Sequence, residues 1–390
     1  MFRRKYTTAF QLSFVGFALS LFIPSLDIVH KYLGGNGTIA YIAASPLAVL
    51  VLHKLAKRIK RSINENVATW LAVVTFLSLV IGFFLIYPIA NSGVIGGGSD
   101  ADDALNLAAS ELIHGRYPYY PSTYLGNPIA PLPGAVLLSL PFVLLGNSSY
   151  QSLFWIAAFF AIAKIYLKDI RLALLLIWSC LALSPVILNN VVTGVDEMSN
   201  GIYVLIFILL LVTVAPKHEV SVWKKVAAAM LLGIALSSRS NFVLLVPLVF
   251  GMLVRNSGWR NGTKYIFVTS VTFVLVTIPF WLFSPQSFSP LYIQYSKVSQ
   301  FESILPLAGL VIPLAGGALA LLLAYCYSDG SYANLLRNGA IVLAFPVVCT
   351  MLLSLIQGGF VGIIWAGYGV FFLPFGALAY WGQLYGRPQA

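Results

Sequence analysis

Acidic residues gather at one place in a chain that has very few of them. Asp100, Asp102 and Asp103 fall within four positions, in the segment GGSDADDALNLAASELIHGRYPYY at 97–120. Carboxylates at this spacing could act as a general base, or they could bind a divalent cation through their oxygens. They could also simply cap a following helix, because acidic residues favour helix N-termini. The acid cluster by itself leaves these roles open.

A second acidic pair and an isolated arginine also stand out between apolar stretches. Asp196 and Glu197 lie in VVTGVDEMSNG, and Arg239 interrupts LLGIALSSRSNFVLLVPLVF at 231–250. Charged residues near membrane level are costly and usually face a cavity or a partner. Arg239 therefore needs either an ion pair with Asp196 or Glu197, or a phosphate, whose oxygens fit the guanidinium fork. Asp196 and Glu197 could alternatively be ordinary loop residues without a functional partner.

Two longer loops, 92–131 and 284–304, supply further candidates. Arg116 is a second candidate for binding a phosphate, and tyrosines in the first loop could stack on a sugar face. The aromatic residues would equally suit an interfacial belt. No P-loop, GxSxG, HExxH or Gly-rich dinucleotide motif occurs, so phosphoryl transfer from a nucleotide has no support. The candidates for substrate contact are Asp196, Glu197, His114, Tyr119, Tyr292, Lys297 and Glu302.

The elements that position these residues must lie in lipid. The chain has 390 residues, of which 59% are hydrophobic and only 9% are charged, and its mean hydropathy is +0.89. Soluble domains carry about 25% charged residues to solvate their surface. This composition excludes a cytosolic enzyme, a nucleic-acid-binding domain and a disordered chain. It predicts an all-α, polytopic transmembrane helical bundle.

Apolar stretches of about 20 residues, the length that crosses the hydrocarbon core, predict the individual spans. Two regions, 132–167 and 226–254, are broken by polar residues, and the first must cross only once for the topology to close. Residues 103–114 predict a short interfacial helix that buries Leu105, Ala108, Ala109 and Leu112. The total is about 10 to 13 membrane segments. The clear spans are 8–29, 37–53, 68–91, 172–190, 198–215, 264–283, 305–326, 339–357 and 360–383.

The charged residues predict the orientation of the bundle. Most Lys and Arg residues fall in loops of one side, which is the cytoplasmic side by the positive-inside rule, together with both termini. Eight of the twelve acids, including Asp102 and Asp196, fall on the opposite face. The net charge of +11 therefore reflects topology and not a nucleic-acid partner. The basic residues outside the cytoplasmic clusters are Lys31, Arg116, Arg239 and Lys297.

Four segments in this order resemble the GT-C glycosyltransferases of membranes, most closely the mannosyltransferases of glycosyltransferase family 87. The resemblance covers roughly residues 68–300. Its acidic motif reads Asp-Ala-Asp-Asp, which leaves open whether Asp102, Asp103 or Asp100 matches the family's base. The segments are DDALNLAASELIHGRYPY at 102–119, PLPGAVLLSLPFVLLG at 131–146, GVDEMSN at 194–200 and LLGIALSSRSNFVLLVP at 231–247.

The resemblance implies an inverting transfer of a sugar, with mannose first, from a polyprenyl-phosphate donor to a hydroxyl of a lipid or glycan acceptor. An aspartate would be the base, Arg239 would bind the donor phosphate, and a divalent cation is not required. The alternatives are a transporter or flippase, or a polymerase or ligase of lipid-linked glycans. The implied parts are an N-terminal extension at 1–67, a catalytic module at 68–300 with the loop 92–131, and C-terminal helices at 301–390.

The short loops favour a prokaryotic plasma membrane, with membrane lipid around the bundle and the active site facing outside. No nucleic-acid partner is expected. Both termini are predicted to be cytoplasmic, because basic residues precede the first span and follow the last.

Overall fold

The computed structural model of the protein describes residues 2–92, 99–326 and 330–385. Throughout these ranges every regular element is a helix, and the only strand-like feature there is an isolated bridge between Ser122 and Pro128. The predicted all-α bundle is therefore confirmed. Helices suit a chain in lipid, because an α-helix satisfies its backbone N–H and C=O groups within itself.

The first half of the described chain begins with a helical hairpin. A 3₁₀ turn, Ile23–Ser25, separates α1 from α2 within its first arm. The chain folds back at Gly34 inside α2, where φ is 65° and ψ is −169°, and this reversal brings the rings of Phe14 and His53 within 6.3 Å. The helices of this half are α1 (Phe2–Phe22), α2 (Leu26–Ser62), α3 (Glu65–Ala90), α4 (Ala101–Ile113), α5 (Pro133–Leu144), α6 (Tyr150–Leu167), α7 (Ile170–Leu183), α8 (Pro185–Thr193) and α9 (Glu197–Val214).

The second half contains two longer 3₁₀ segments, Ser240–Leu245 and Gly359–Phe371. The first follows Arg239, so the break predicted within 226–254 is present. The helices of this half are α10 (Val222–Leu236), α11 (Val246–Ser257), α12 (Trp259–Phe283), α13 (Ser289–Ser299), α14 (Ala308–Cys326), α15 (Tyr332–Gly358) and α16 (Leu373–Tyr385).

Eight helical stretches in the described ranges are long and apolar enough to cross a membrane, or ten if each of two bent pairs also crosses. One of the eight, Gln11–Ser62, contains the hairpin that reverses at Gly34 and so holds both spans predicted there. The number of membrane segments in the structure therefore agrees with the lower end of the predicted range of 10 to 13. In the region 132–167, α6 has the length of a span and α5 is a shorter apolar helix, which agrees with a single crossing.

Two predicted spans are wrong as single straight helices. The span at 172–190 is divided into α7 and α8, which meet at 85°. Pro185 opens α8 and cannot donate a backbone hydrogen bond to α7, so the helix cannot continue through it. The span at 360–383 begins as the 3₁₀ segment and bends by 66° into α16. Glycines in that segment let its backbone approach neighbouring elements closely, as Gly367 does at Asp27.

Helix α9 is the centre of the bundle. It is buried over most of its surface, with Tyr203, Val204 and Leu205 fully enclosed. Helices α6, α10 and α16 and the 3₁₀ segment before α16 pack on it. Helix α16 in turn packs on α1 through the rings of Phe17 and Trp381, 5.2 Å apart. Because α9 cannot shift without disturbing this core, the residues at its N-terminus are held in a fixed position.

Helix α4 confirms the short helix predicted at 103–114 and forms a separate layer with α5. Leu105, Ala108 and Ala109 are fully buried against α5, and Leu112 packs at the edge of the same cluster. The N-terminus of α5 in turn lies against the end of α10, where the N–H of Gly134 donates to the carbonyl of Ser237 at 2.8 Å. The acidic loop is thereby joined to the segment that carries Arg239.

We expect Gly134→Ala to weaken this junction. A Cβ at position 134 would lie 2.0 Å from the carbonyl oxygen of Ile234, so the two backbones would have to separate. Such overpacking costs about 1–3 kcal/mol of unfolding free energy. Gly317→Ala is the control, because a Cβ there meets nothing within 4 Å in the described structure beyond its own helical turn. Equal melting temperatures of the two variants in detergent would contradict the prediction.

Candidate functional site

Asp102 is the buried member of the acidic cluster. It lies in the first turn of α4 and is only 4% exposed. Its Oδ2 accepts hydrogen bonds from the hydroxyl of Tyr87 and, at 3.3 Å, from Nδ2 of Asn91. Both donors come from the end of α3, and Nδ2 of Asn147 holds the Tyr87 oxygen from the other side at 2.7 Å. The carboxylate is thus positioned by a defined polar network.

The environment of Asp102 suits a proton acceptor. Burial raises the pKa of its carboxyl above the usual value, while the hydrogen bond from Tyr87 opposes that shift by stabilising the charged form. A carboxylate whose pKa is raised binds a proton more readily near neutral pH. Of the three clustered aspartates, Asp102 therefore has the properties of a general base.

Asp100 and Asp103 instead hold the loop that follows α4. Oδ2 of Asp100 accepts from Oγ1 of Thr123 at 2.6 Å and from Nδ2 of Asn127 at 2.8 Å. Oδ2 of Asp103 accepts from the backbone N–H of Tyr124 at 2.9 Å. The three carboxylates do not converge. Within 2–92, 99–326 and 330–385, no group of three or more His, Cys, Asp or Glu residues is arranged to hold a metal ion.

The turn before α9 brings the second acidic motif against Asp102. Gly194 ends α8 with a φ of 74°, a conformation that side chains disfavour. A Cβ at this position would lie 2.7 Å from Cβ of Ser149 and 3.2 Å from Cβ of Asp102. Only glycine permits this close approach. Asp102 and the residues that follow Gly194 therefore belong to one site.

Asp196 and Arg239 form a buried ion pair. Nη2 of Arg239 lies 2.8 Å from Oδ1 and 3.0 Å from Oδ2 of Asp196, whose side chain is fully buried. Asn200, one turn along α9, also donates to Oδ2 of Asp196 at 2.9 Å. Of the alternatives for Arg239, the ion pair with Asp196 is the one present. Nε of Arg239 has no hydrogen-bond acceptor in the described part of the chain, so one donor remains unused.

On the other side of this pair lies a cavity of about 360 Å³. Two predicted residues, Glu197 and Lys297, line it. Nζ of Lys297 donates to the hydroxyl of Tyr368 at 2.8 Å. The cavity is built from α2, α9, α13 and the 3₁₀ segment before α16. Its lining residues are Asp27, Glu197, Lys297, Gln300, Ile364, Trp365, Gly367 and Tyr368.

The remaining predicted residues lie apart from these groups. Arg116 is exposed and pairs with Glu111 through two contacts of 2.6 Å. His114 is exposed, and its Nδ1 lies 2.7 Å from the carbonyl oxygen of Ser110. Tyr119 is buried and donates to the carbonyl of Pro131 at 3.1 Å, which gives it a structural part in the loop.

Two further candidates lie in the region of α13 but do not line the cavity. Tyr292 is 71% exposed on α13, and Glu302 is half-buried in the turn after that helix. The structure therefore brings together Asp102, Asp196, Glu197, Arg239 and Lys297, and leaves the other predicted side chains outside.

Sequence reasoning missed several residues of the site. Tyr87 and Tyr368 lie in apolar runs, where a tyrosine is usually an interfacial residue. Asp27 lies near the end of the predicted span 8–29 and is one of the eight acids that the charge pattern places on the outer face. The signal that could have found it is the presence of an acid at a span end in a chain with twelve acids.

Comparison of the chain with models of known protein families, with curated proteins and with solved structures found no match. The resemblance noted in the sequence therefore depends on the motifs alone, and the chemistry has to be argued from the geometry of the site.

The ion pair predicts a strong coupling between two substitutions. We expect Arg239→Met to lower the unfolding free energy by about 3–5 kcal/mol, because it leaves Asp196 buried without its counter-charge. Adding Asp196→Asn should recover a large part of that loss, since the uncompensated charge is then removed. Thermal unfolding of the two single variants and the double variant in detergent measures the coupling. Additive losses would show that the pair is not coupled.

Proposed function

We propose that the protein is an integral-membrane glycosyltransferase that moves a sugar, with mannose first, from a polyprenyl-phosphate donor to a hydroxyl of a lipid or glycan acceptor. The observation that carries this proposal is the placement of Asp102. A buried carboxylate with a raised pKa lies against the turn that leads to a largely buried arginine and to a cavity whose lining includes charged residues. Displacement at the anomeric carbon requires a base beside the attacking hydroxyl and positive charge beside the leaving phosphate.

In the proposed reaction Asp102 accepts the proton of the acceptor hydroxyl as its oxygen attacks the anomeric carbon. The bond between that carbon and the donor phosphate oxygen breaks, and its electron pair stays on the phosphate. The attacking and leaving oxygens lie on opposite sides of the carbon, so the anomeric centre is inverted. Hydrogen bonds from Tyr87 and Asn91 orient the base. General-base assistance of this kind typically contributes about 10²–10⁴-fold.

The leaving phosphate needs positive charge as the bond breaks. Arg239 has an unused Nε donor while its Nη2 is fixed by Asp196, and Lys297 presents an ammonium group at the cavity. Arg239 and Lys297 are two of the four basic residues that lie outside the predicted cytoplasmic clusters. Their presence on the acidic face supports recognition of an anion there, and we assign the donor phosphate to them. Arg116, which is exposed and paired with Glu111, receives no such part.

The lipid tail of the donor accounts for the rest of the architecture. A polyprenyl chain stays in the bilayer, so its phosphate reaches only an enzyme whose site opens at the membrane surface. We propose that the site faces away from the cytoplasm, that both termini are cytoplasmic, and that the membrane is a prokaryotic plasma membrane. Residues 386–390 at the C-terminus lie outside the described ranges.

A transporter of a lipid-linked or small solute is the second candidate. The bent pair α7–α8 and the break at Arg239 lie beside buried charges, and discontinuous helices often form substrate sites in transporters. A lipid-linked glycan polymerase or ligase would be expected to use basic residues in its large outer loop. Here that loop is acidic, and its Arg116 is paired.

Sugar transfer in nanodiscs tests the proposal. Polyprenyl-phosphate mannose is supplied first, then the glucose and arabinofuranose analogues, with a mixed lipid extract as acceptor. We expect Asp102→Asn to lower kcat/KM by roughly 10²–10⁴-fold, because the general base is lost.

Asp100→Asn and Asp103→Asn are the matched controls. They weaken hydrogen bonds of the loop and should keep most of the activity, since these two carboxylates bind loop residues and not the proposed reacting atoms. An equal loss in all three variants would contradict the assignment of the base. Absence of transfer from every donor by the wild type would contradict the glycosyltransferase and favour the transporter.

The pH dependence of transfer provides a separate test of Asp102. Because burial raises the pKa of this carboxyl, activity should fall on the acid side at a pH above the usual aspartate range near about 3.9. Tyr87→Phe removes a hydrogen bond that stabilises the charged form, so it should move the acid limb to still higher pH. The measurement is kcat/KM against pH, with Tyr292→Phe as the control. An acid limb that stays in place in Tyr87→Phe would argue that another group titrates.

A further inference from the structure

We propose that the cavity is a binding site for a single sugar ring and that Asp27, supplied by the N-terminal hairpin, contacts the hydroxyls of that ring. This inference deepens the proposed function and rests on it for the origin of the sugar. It also extends the substrate site beyond residues 68–300, because α2 and the 3₁₀ segment before α16 supply five of the eight lining residues.

The volume of the cavity fits one sugar. At about 360 Å³ it lies at the lower end of the range of about 300–1,000 Å³ for small-molecule sites. It is roughly ten times the share of liquid volume that one water occupies, about 30 Å³. A larger glycan would have to extend out of the opening, where Gln300 lies. The space therefore selects a single ring and not an extended chain.

Two carboxylates face this space without a donor of their own. Asp27 and Glu197 both line the cavity, and neither side chain accepts a hydrogen bond from another group in the described ranges. An ionised carboxylate has two oxygens that together accept several hydrogen bonds. Carboxylates at an open cavity accept hydrogen bonds from water, and a ligand with several hydroxyl donors can take the place of that water. Vicinal hydroxyls of a sugar ring supply such donors in pairs.

The position of Asp27 is set by a close backbone approach. It lies in the first turn of α2, where the helix dipole favours a negative charge. A Cβ at Gly367 would lie 2.7 Å from Oδ2 of Asp27, so the carboxylate rests directly on the backbone of the 3₁₀ segment. Any side chain at position 367 would displace it. The glycine thereby keeps Asp27 at the wall of the cavity.

The other lining residues favour a neutral sugar over a cation. Lys297 lies at the cavity, and Lys31 lies one turn from Asp27 and acts on its charge, so positive groups already balance the two carboxylates. In the described part of the chain, no group of three or more His, Cys, Asp or Glu residues is arranged to bind a metal ion. Trp365 and Tyr368 supply aromatic faces, with ring centroids 5.7 Å apart, on which the C–H face of a sugar can lie. A polyol with one apolar face suits this lining, which combines acids, an amide, a lysine and aromatic rings.

Saturation-transfer difference NMR with methyl hexopyranosides and the full-length protein in nanodiscs tests the site without assuming a donor. We expect at least one glycoside to bind, and Asp27→Asn to weaken it about 10- to 100-fold, the range for a hydrogen bond to a charged group. Gly367→Ala should weaken it as well, although it alters no polar group. The controls are Glu219→Gln, an exposed acid, and Gly317→Ala, a glycine with open space around it.

Deoxy glycosides locate the contact. A deoxy glycoside that lacks the hydroxyl bound by Asp27 should bind the wild type as weakly as the complete glycoside binds Asp27→Asn. The substitution Asp27→Asn should not weaken the binding of that deoxy glycoside any further. Competition by geranyl-phosphate hexose would identify the ring as that of the donor. A lack of competition would assign it to the acceptor. Melting temperatures of all variants verify that they are folded.

Failure of this inference differs from failure of the proposed function. If no glycoside binds, or if binding is unchanged in both Asp27→Asn and Gly367→Ala, the sugar site is overturned, whether or not the wild type transfers sugar. If binding depends on Asp27 but no donor supports transfer, the sugar site stands and the glycosyltransferase is contradicted. In that case a sugar transporter becomes the better reading.

Discussion

The buried ion pair between Asp196 and Arg239 is the interaction on which the rest of the site depends. A charge enclosed in a helical bundle is tolerable only with a close counter-charge and hydrogen bonds, and here Arg239 supplies the counter-charge and Asn200 of α9 donates a hydrogen bond. Asp196 precedes α9, and Arg239 lies in the extended break after α10. The pair therefore ties the central helix to the segment that also supports α5 and the acidic loop.

Several segments whose backbone departs from the α-helix lie near this ion pair. Helix α8, which follows the sharp bend after α7, ends at Gly194. The 3₁₀ segment before α16 carries Tyr368, whose phenol lies in the electrostatic surroundings of Arg239. Backbone that leaves the helical pattern inside a membrane must line a cavity or be enclosed by protein, because lipid offers no hydrogen bonds. Such breaks are concentrated here around buried charges and a cavity, which is where the proposed site lies.

Two sides of the ion pair would then perform two tasks. On one side Gly194 holds Asp102 close, and Tyr87 and Asn91 orient its carboxylate. On the other side Glu197, the next residue after Asp196, opens into the cavity with Lys297. Neighbouring positions at the start of one buried helix thus connect the proposed proton acceptor to the proposed phosphate and sugar contacts. A shift of α9 would disturb all of them together.

The sequence by itself determined the helical class, most of the spans, the break near Arg239 and the short helix with the acidic cluster. These properties follow from hydropathy and charge within about 20 consecutive residues, the length that a bilayer sets. It also identified Asp102 and Arg239 as unusual, because isolated charges in apolar surroundings require a partner.

Only the tertiary structure decided which charges are partners. It separated Asp102 from Asp100 and Asp103 by burial, chose Asp196 for Arg239, and brought Asp27 onto Gly367 from the opposite end of the chain. Apolar patterning could not predict these contacts, because it shows which face of a helix avoids water but not which helix covers that face. Close packing of complete side chains settles that choice, and it does so across the whole chain at once.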